Sequence, residues 1–387
     1  MNILTGLNTM TTQGSQFALE RPLTSSVALP LLRQLRKIEI ELTSECIVGR
    51  RSRGKGCLHC SLKAGTGKSS YLDGRTVVET LKDAAQLGAT VVVFTGGEPS
   101  QHPDFVDLLS DAKALGLSTR VYTTGVNGAW PPGKLRAVSK LVDEIYLSVE
   151  GMGPSHDAVL GLEGAFDETM AFAAEARALN LRWVAHFTPM RVNHQDLAPL
   201  AYKLASLGAS ALKLIDFVPQ GRGHTNQGLL ELSPREYFDL FTTVRELQSR
   251  LNAPDGSPFV RFHDETYGIG SEHHARLGKL SEKGCTSGRE SCAILSDGSV
   301  IPCLGFRMDA ASDGPRSEHI VGNVYATGFR GVWLDSPLLL KFSRSRSVEV
   351  NPKCAKCSLA DVCVGCCSCR RSELEAEFSS RLSGDYD

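Results

Sequence analysis

The chain has 387 residues, 42% of them hydrophobic, with 42 Lys and Arg against 43 Asp and Glu. That length suits two domains, or one large domain with an appendage, and the hydrophobic share suffices for a sizeable core. Balanced charge argues against a nucleic-acid partner, no run approaches the roughly 18 apolar residues of a membrane span, and MNILTGLNTMTTQGSQ lacks the apolar stretch of a secretion signal, so a cytoplasmic protein without a membrane anchor is expected.

Residues 1–33 are mixed and turn-rich and read as an N-terminal extension. KIEIEL (Lys37–Leu42) alternates as a strand does. Val77–Leu87 has the pattern of an amphipathic helix stopped by Gly88. VVVF (Val91–Phe94) is a continuous apolar run, as in a strand buried on both faces. Phe105, Leu108, Leu109, Ala112 and Leu115 recur at helical spacing. Further strands are expected at Ser118–Tyr122, Glu144–Val149, Arg182–Phe187 and Ala211–Phe217, with helices at Lys134–Leu141, Glu168–Leu179 and Leu197–Leu207. About six successive strand–helix units imply an α/β fold with a parallel sheet, fewer than the eight units of a closed barrel. In such folds chemistry collects at the carboxyl ends of the strands.

Ser233-Pro234-Arg235-Glu236 combines an N-cap, a first-turn proline and a capping-box glutamate. The helix it starts carries the stripe Phe238, Phe241, Val244, Leu247 and Leu251. Beyond Gly284 the periodicity is lost. Residues 285–369 read as a small domain organised by metal rather than by apolar burial.

Cysteine placement points to chemistry. Of 12 cysteines, Cys46, Cys57 and Cys60 lie early, and none falls between Cys60 and Cys285. In a reducing compartment such clusters suit metal or redox work better than disulfides. Cys46, Cys57 and Cys60 follow the first strand as C-x10-C-x2-C. Three thiolates leave one iron of a cuboidal [4Fe–4S] cluster open. A zinc site using His59 is the alternative, although His59 and Cys60 are sequence neighbours. One βα unit later, Thr95-Gly96-Gly97-Glu98-Pro99 ends the buried strand, where two glycines permit close approach of a ligand and Glu98 can accept from an ammonium group.

Together these motifs resemble the radical S-adenosylmethionine (SAM) superfamily, whose signature is C-x3-C-x2-C after the first strand. The spacer here is seven residues longer, which loop-closure entropy charges at only about 1 kcal/mol. His59 takes the aromatic position before the last cysteine. The resemblance implies a partial (β/α)6 parallel barrel over residues 34–230, a bridging helix and linker over 231–284, and a cysteine-rich C-terminal metal-cluster domain over 285–372, before a tail at 373–387. It assigns Gly96, Gly97 and Glu98 to the amino group of SAM. YLSVEG (Tyr146–Gly151) resembles the fourth-strand segment, with Ser148 and Glu150 for its ribose and carboxylate. Thr124 stands where relatives often carry asparagine, and PQGRG (Pro219–Gly223) resembles the end of the sixth strand. His186, Asp216 and Arg222 lie near strand ends and are candidates for handling protons or substrate, Arg222 by gripping a carboxylate.

The C-terminal cysteines, with the turn ILSDGSVIPC and Gly322–Val324, resemble the SPASM extension, which implies two auxiliary [4Fe–4S] clusters. By position the first takes Cys285, Cys292, Cys303 and Cys367. The second takes Cys354, Cys357, Cys363 and Cys369, with Cys366 the rival for the last place. Zinc ribbons are the alternative reading of such C-x2-C pairs. The implied cofactors are SAM and three [4Fe–4S] clusters. The implied chemistry is reductive cleavage of SAM to a 5′-deoxyadenosyl radical that abstracts hydrogen from substrate.

Relatives with this extension mostly modify peptides, by cross-linking or side-chain oxidation, which implies maturation of a ribosomally made peptide. The partners implied are that peptide, an electron donor such as flavodoxin or ferredoxin, and either a separate leader-recognition protein or direct binding of the peptide, since 33 residues are too few for a built-in leader-binding module. The basic stretch Arg50-Arg51-Ser52-Arg53-Gly54-Lys55 is a candidate contact for an acidic leader, or simply a solvated loop. The alternatives are a small-molecule radical SAM dehydrogenase or decarboxylase, and a zinc-ribbon interaction protein.

Overall fold

On strand β1 (Lys37–Thr43), Ile38, Ile40 and Leu42 enter one apolar core while Lys37, Glu39 and Glu41 take the opposite face, the two-residue period of a strand. The computed structural model describes residues 34–65, 69–262, 286–307 and 319–344, with backbone alone for the last four. Strands β2 (Val91–Gly96), β3 (Ser118–Thr123), β4 (Glu144–Ser148), β5 (Trp183–Phe187) and β6 (Leu212–Leu214) follow in chain order, each parallel to its neighbour. Helices Gly74–Gln86, Phe105–Ala114, Lys134–Val138, Ala165–Ala178 and Leu197–Ser206 connect them. The architecture is the partial α/β barrel expected of the sequence.

The helix-facing residues form a continuous core that includes Ile38, Ile40, Val92, Phe94, Val121, Ile145, Leu147, Phe187 and Leu212, packed with Val77, Leu81, Leu108 and Leu109. Each such buried side chain contributes about 1.5–3 kcal/mol over its exposed state. Local signals set the helix ends. Asp73 caps Gly74–Gln86 by accepting from Thr76 N–H at 2.9 Å, which starts that helix three residues before the apolar pattern does. The Ser233–Glu236 capping box is present in both directions and opens the helix Pro234–Arg250.

Two parallel strands extend the six. β7 (Val260–Phe262) pairs with β6, and β8 (Ser291–Ile294) pairs with β1. Beyond β8, the antiparallel β9 (Ser299–Ile301) and β10 (Gly322–Asn323) complete the sheet order β10-β9-β8-β1-β2-β3-β4-β5-β6-β7. Apolar burial adds to the metal organisation expected of the segment after Gly284. In its described part Val300, Val321, Val324, Phe329, Val332 and Trp333 join the main core. The helix Val324–Asp335 is tied to Gly74–Gln86 by Arg330 N–H, which donates to Asp83 at 2.9 Å. Among the described residues no helix is long and apolar enough to cross a membrane.

Candidate functional site

The cysteine loop is built on the end of β1. Cys46, 5% exposed, stands at the N-cap of a one-turn helix, Ile47–Arg51, which the long spacer forms. Arg51 of that helix grips Glu168, Nη2 donating to Oε1 at 2.8 Å, and Arg50 lies 3.2 Å from Glu45. Two cations of the basic stretch are therefore engaged within the chain. The turn Cys57–Cys60 is pinned by Leu58 N–H, which donates to Val159 O at 2.8 Å.

The Gly-Gly-Glu segment after β2 lies against this loop. Gly97 N–H donates to Thr43 O at 2.8 Å and Glu98 N–H to Glu45 O at 2.7 Å. A Cβ on Gly97 would collide with Glu45 O, and one on Gly96, at φ +140°, with Thr43 O. Both glycines are thus required by the approach of two backbone segments.

Burial pushes the Cys46 thiol up to about 12, with Cys60 and Glu98 adding to the effect. Burial also pushes Cys57 well above its ordinary value; the charges of Cys46 and Cys60 add to that and Arg222 opposes it. The neighbouring thiolates therefore disfavour ionisation of Cys46 and Cys57, and iron cations would remove that cost. The donor set fits a cluster on this ground. Among the described residues no three His, Cys, Asp or Glu side chains form a group fit for a single metal ion. A cuboidal cluster asks for something else, one thiolate per iron.

Glu98 is 1% exposed. Its Oε1 accepts from Ser100 Oγ at 3.1 Å, and its Oε2 accepts from Thr123 Oγ1 at 3.0 Å and Thr124 N–H at 3.3 Å. Burial nevertheless raises it to about 7, the hydrogen bonds opposing. It is a buried carboxylate held by hydrogen bonds, with the charge of Lys134 acting on it. Glu150, past β4, is 4% exposed; its Oε2 accepts from Thr188 N–H at 2.9 Å and its Oε1 lies 3.4 Å from His59 Nε2. Its backbone N–H donates to His156 Nδ1 at 2.9 Å, and burial lowers His156 to about 4, so that ring is a neutral acceptor there. Asn193 bridges Glu150 O at 3.1 Å and Thr188 O at 3.0 Å. His156, Thr188 and Asn193 escaped the sequence reading because each acts through backbone groups.

Ser148 ends β4, in register with His186 of β5. His186 is 2% exposed, its ring stacked on Tyr146 at 4.5 Å and edge-on to Tyr122 at 5.0 Å. Tyr146 OH accepts from Arg120 at 2.7 Å. Asp216 lies two residues beyond β6. Arg222 faces the cysteine loop: Nε donates to Cys57 O at 2.8 Å and Nη1 to Ala64 O at 3.1 Å. Arg222 is thus engaged by the backbone of the cysteine loop.

Cys292 lies within β8, 1% exposed, and Cys303 follows β9. Gly298, at φ +82°, makes the turn between those strands, where a Cβ would strike Tyr325. Cys285, Cys354, Cys357, Cys363, Cys366, Cys367 and Cys369 lie outside the described residues.

Two family patterns match the chain: "Radical SAM superfamily" over residues 53–201 and the SPASM "Iron-sulfur cluster-binding domain" over residues 285–358. The chain carries a radical SAM domain and a SPASM domain. The first match begins inside the long spacer, so it takes in Cys57 and Cys60 and leaves Cys46 ahead of it. This radical SAM chain is 26% identical to an AdoMet-dependent heme synthase of Methanosarcina barkeri over 346 residues, 86% of this chain and 90% of the relative. It is 27% identical to a PqqA peptide cyclase of Ruegeria pomeroyi over 344 residues, 87% of this chain and 83% of the relative. In fold it is similar to Streptococcus suis SuiB bound to precursor peptide SuiA (TM-score 0.66, 15% identity, 87% of this chain, 73% of that one). It is also similar to anSMEcpe with bound AdoMet (TM-score 0.64, 18% identity, 87% of each chain). These domains indicate SAM and iron–sulfur clusters as cofactors and set aside the zinc-ribbon interaction protein.

Proposed function

We propose that this radical SAM enzyme modifies a peptide, and that its strand-end thiols hold the cluster that engages SAM. The observation that carries the site reading is the convergence of Cys46, Cys57 and Cys60 with two buried carboxylates, Glu98 and Glu150, at the ends of β1, β2 and β4. Cluster and SAM together, when bound, supply hydrogen-atom abstraction.

The protein's own residues do the remaining work. Glu98 meets the SAM ammonium with charge and is itself fixed by Ser100, Thr123 and Thr124. Ser148 and Glu150 face the ribose and carboxylate end, with Glu150 held by Thr188 and His59. Tyr122, Tyr146 and His186 pack together on the inner face of the sheet. They exclude water beneath the strand ends. Two auxiliary clusters are assigned to the SPASM cysteines: Cys285, Cys292, Cys303 and Cys367 for one, and Cys354, Cys357, Cys363 and Cys369 for the other. When bound there, such clusters would supply an acceptor or relay for the electron left after oxidation. Residues 34–230 and 285–372 are the units assigned to these tasks, joined by 231–284. Flavodoxin or ferredoxin is the donor class, and a separate leader-recognition protein presents the peptide.

Peptide modification is supported by the PqqA peptide cyclase relatives. The heme synthases, matched over a similar share of the chain, favour a second reading in which a small molecule is the substrate. The test is 5′-deoxyadenosine formation by anaerobically reconstituted enzyme with SAM and reductant. A short peptide encoded beside the gene is expected to raise the rate and to lose hydrogen in its mass spectrum. Stimulation by a tetrapyrrole and none by the peptide would favour the second reading.

A further inference from the structure

The segment after β6 takes up the backbone carbonyls of the Cys57–Cys60 turn. Arg222 Nε donates to Cys57 O at 2.8 Å, Asn226 Nδ2 to Leu58 O at 2.9 Å, and Arg222 N–H to Cys60 O at 2.9 Å. The two terminal nitrogens of Arg222 reach on to Ala64 O at 3.1 and 3.2 Å. The packing leaves no room on either side. Gly56, at φ +58°, faces the guanidinium, and a Cβ there would strike Nη2. Gly221, at φ +54°, lies against Ser61 O and Cys60 O.

The spacing explains the need. A three-residue spacer ties the second cysteine closely to the first. Ten residues do not, so the turn must be fixed from outside. A guanidinium suits this because it is planar, permanently charged and carries five donors, whereas an ammonium is a point charge. We infer that Arg222 is a positioning residue for the SAM-engaging cluster, fixing the Cys57–Cys60 turn and holding a permanent positive charge beside it. Such a charge stabilises the more negative, reduced form of a thiolate-bound cluster and raises its reduction potential. This rests on the cluster reading proposed above.

The test uses the full chain, reconstituted anaerobically, as wild type, Arg222→Met and Arg222→Lys. The cluster is identified by its reduced-state EPR signal, which changes when SAM is added, and is titrated potentiometrically. Arg222→Met is expected to lower both the occupancy of that cluster and its midpoint potential. The other clusters and the melting temperature stay near wild type. Arg222→Lys is expected to restore the potential more fully than the occupancy, because it keeps the charge and loses the fork. An Arg222→Met protein with wild-type occupancy and midpoint overturns the inference alone. So does parallel loss of every cluster and of the fold in both variants. A wild-type protein without a SAM-responsive signal overturns the cluster reading itself.

Discussion

The helix-covered face of the sheet holds Ile38, Phe94, Ile145, Leu147 and Leu212 in one apolar core, while the strand-end loops hold Cys46 and the carboxylates Glu98 and Glu150 away from water, with Cys57 and Cys60 half-buried beside them. The first face is stabilised chiefly by burial. The second is assembled by hydrogen bonds and ion pairs from several elements: Arg51 to Glu168, Arg222 to Cys57 O, and Thr188 to Glu150. A third set ties the two halves of the sequence together. Glu41, 1% exposed on the inner face of β1, accepts from Ser296 Oγ at 2.8 Å and pairs with Arg307 at 2.8 Å, and Arg307 donates to Ser61 Oγ at 3.1 Å. The scaffold folds on its apolar face and keeps buried carboxylates at the strand ends, where SAM is expected.

Four substitutions or conditions sharpen that division. Cys57→Ala removes a proposed cluster ligand without touching the helix-covered face. Formation of 5′-deoxyadenosine should fall at least about 10³-fold, because the cofactor carries the chemistry, while the melting temperature holds. Comparable turnover in the variant would break the assignment. Arg307→Met strands Glu41 without a counter-charge. Its cost in denaturant titration is expected at about 3–5 kcal/mol, with loss of order in the Ser61 region by hydrogen exchange. Leu81→Ala acts on the opposite face. A cost of about 2–5 kcal/mol is expected, with cluster spectra and SAM affinity unchanged.

The smallest effect concerns pH. Glu98 is raised from 4.5 to about 7 by burial. A raised folded value means its contribution to the stability of the ligand-free fold is complete below pH 4.5 and is lost as pH rises through about 7. SAM's ammonium requires the charged carboxylate, so SAM affinity should strengthen with rising pH up to about 7, by at most about tenfold per unit, and then level. Isothermal titration against pH checks this, and Glu98→Gln should flatten the slope.

The six parallel strands were legible because each carries a period or run that no helix shares: KIEIEL alternates and VVVF is apolar throughout. β7 and β8 were not. They are three and four residues long, too short to show a period, and β8 pairs with a strand at the far end of the sequence. A helix in the long spacer was missed because Ile47–Arg51 spans a single turn, too short to show a period. In the site, Glu98 was legible from two preceding glycines, and Thr124 from its place before Gly125. Ser100 and Thr123 were silent, because a hydroxyl that supports a buried carboxylate leaves no spacing signature. Arg222 is legible as a residue near a strand end, but its partners are not, since they are carbonyls 158 and 165 residues away in sequence.

EPR of the reduced, anaerobically reconstituted chain, recorded with and without SAM labelled with nitrogen-15 at its amino group, tests the central claim most directly. The account predicts a [4Fe–4S] signal that changes on adding SAM and gains coupling to the labelled nitrogen, both lost in Cys57→Ala. A wild-type cluster whose spectrum ignores SAM, or a protein that takes up only zinc under the same conditions, would contradict it.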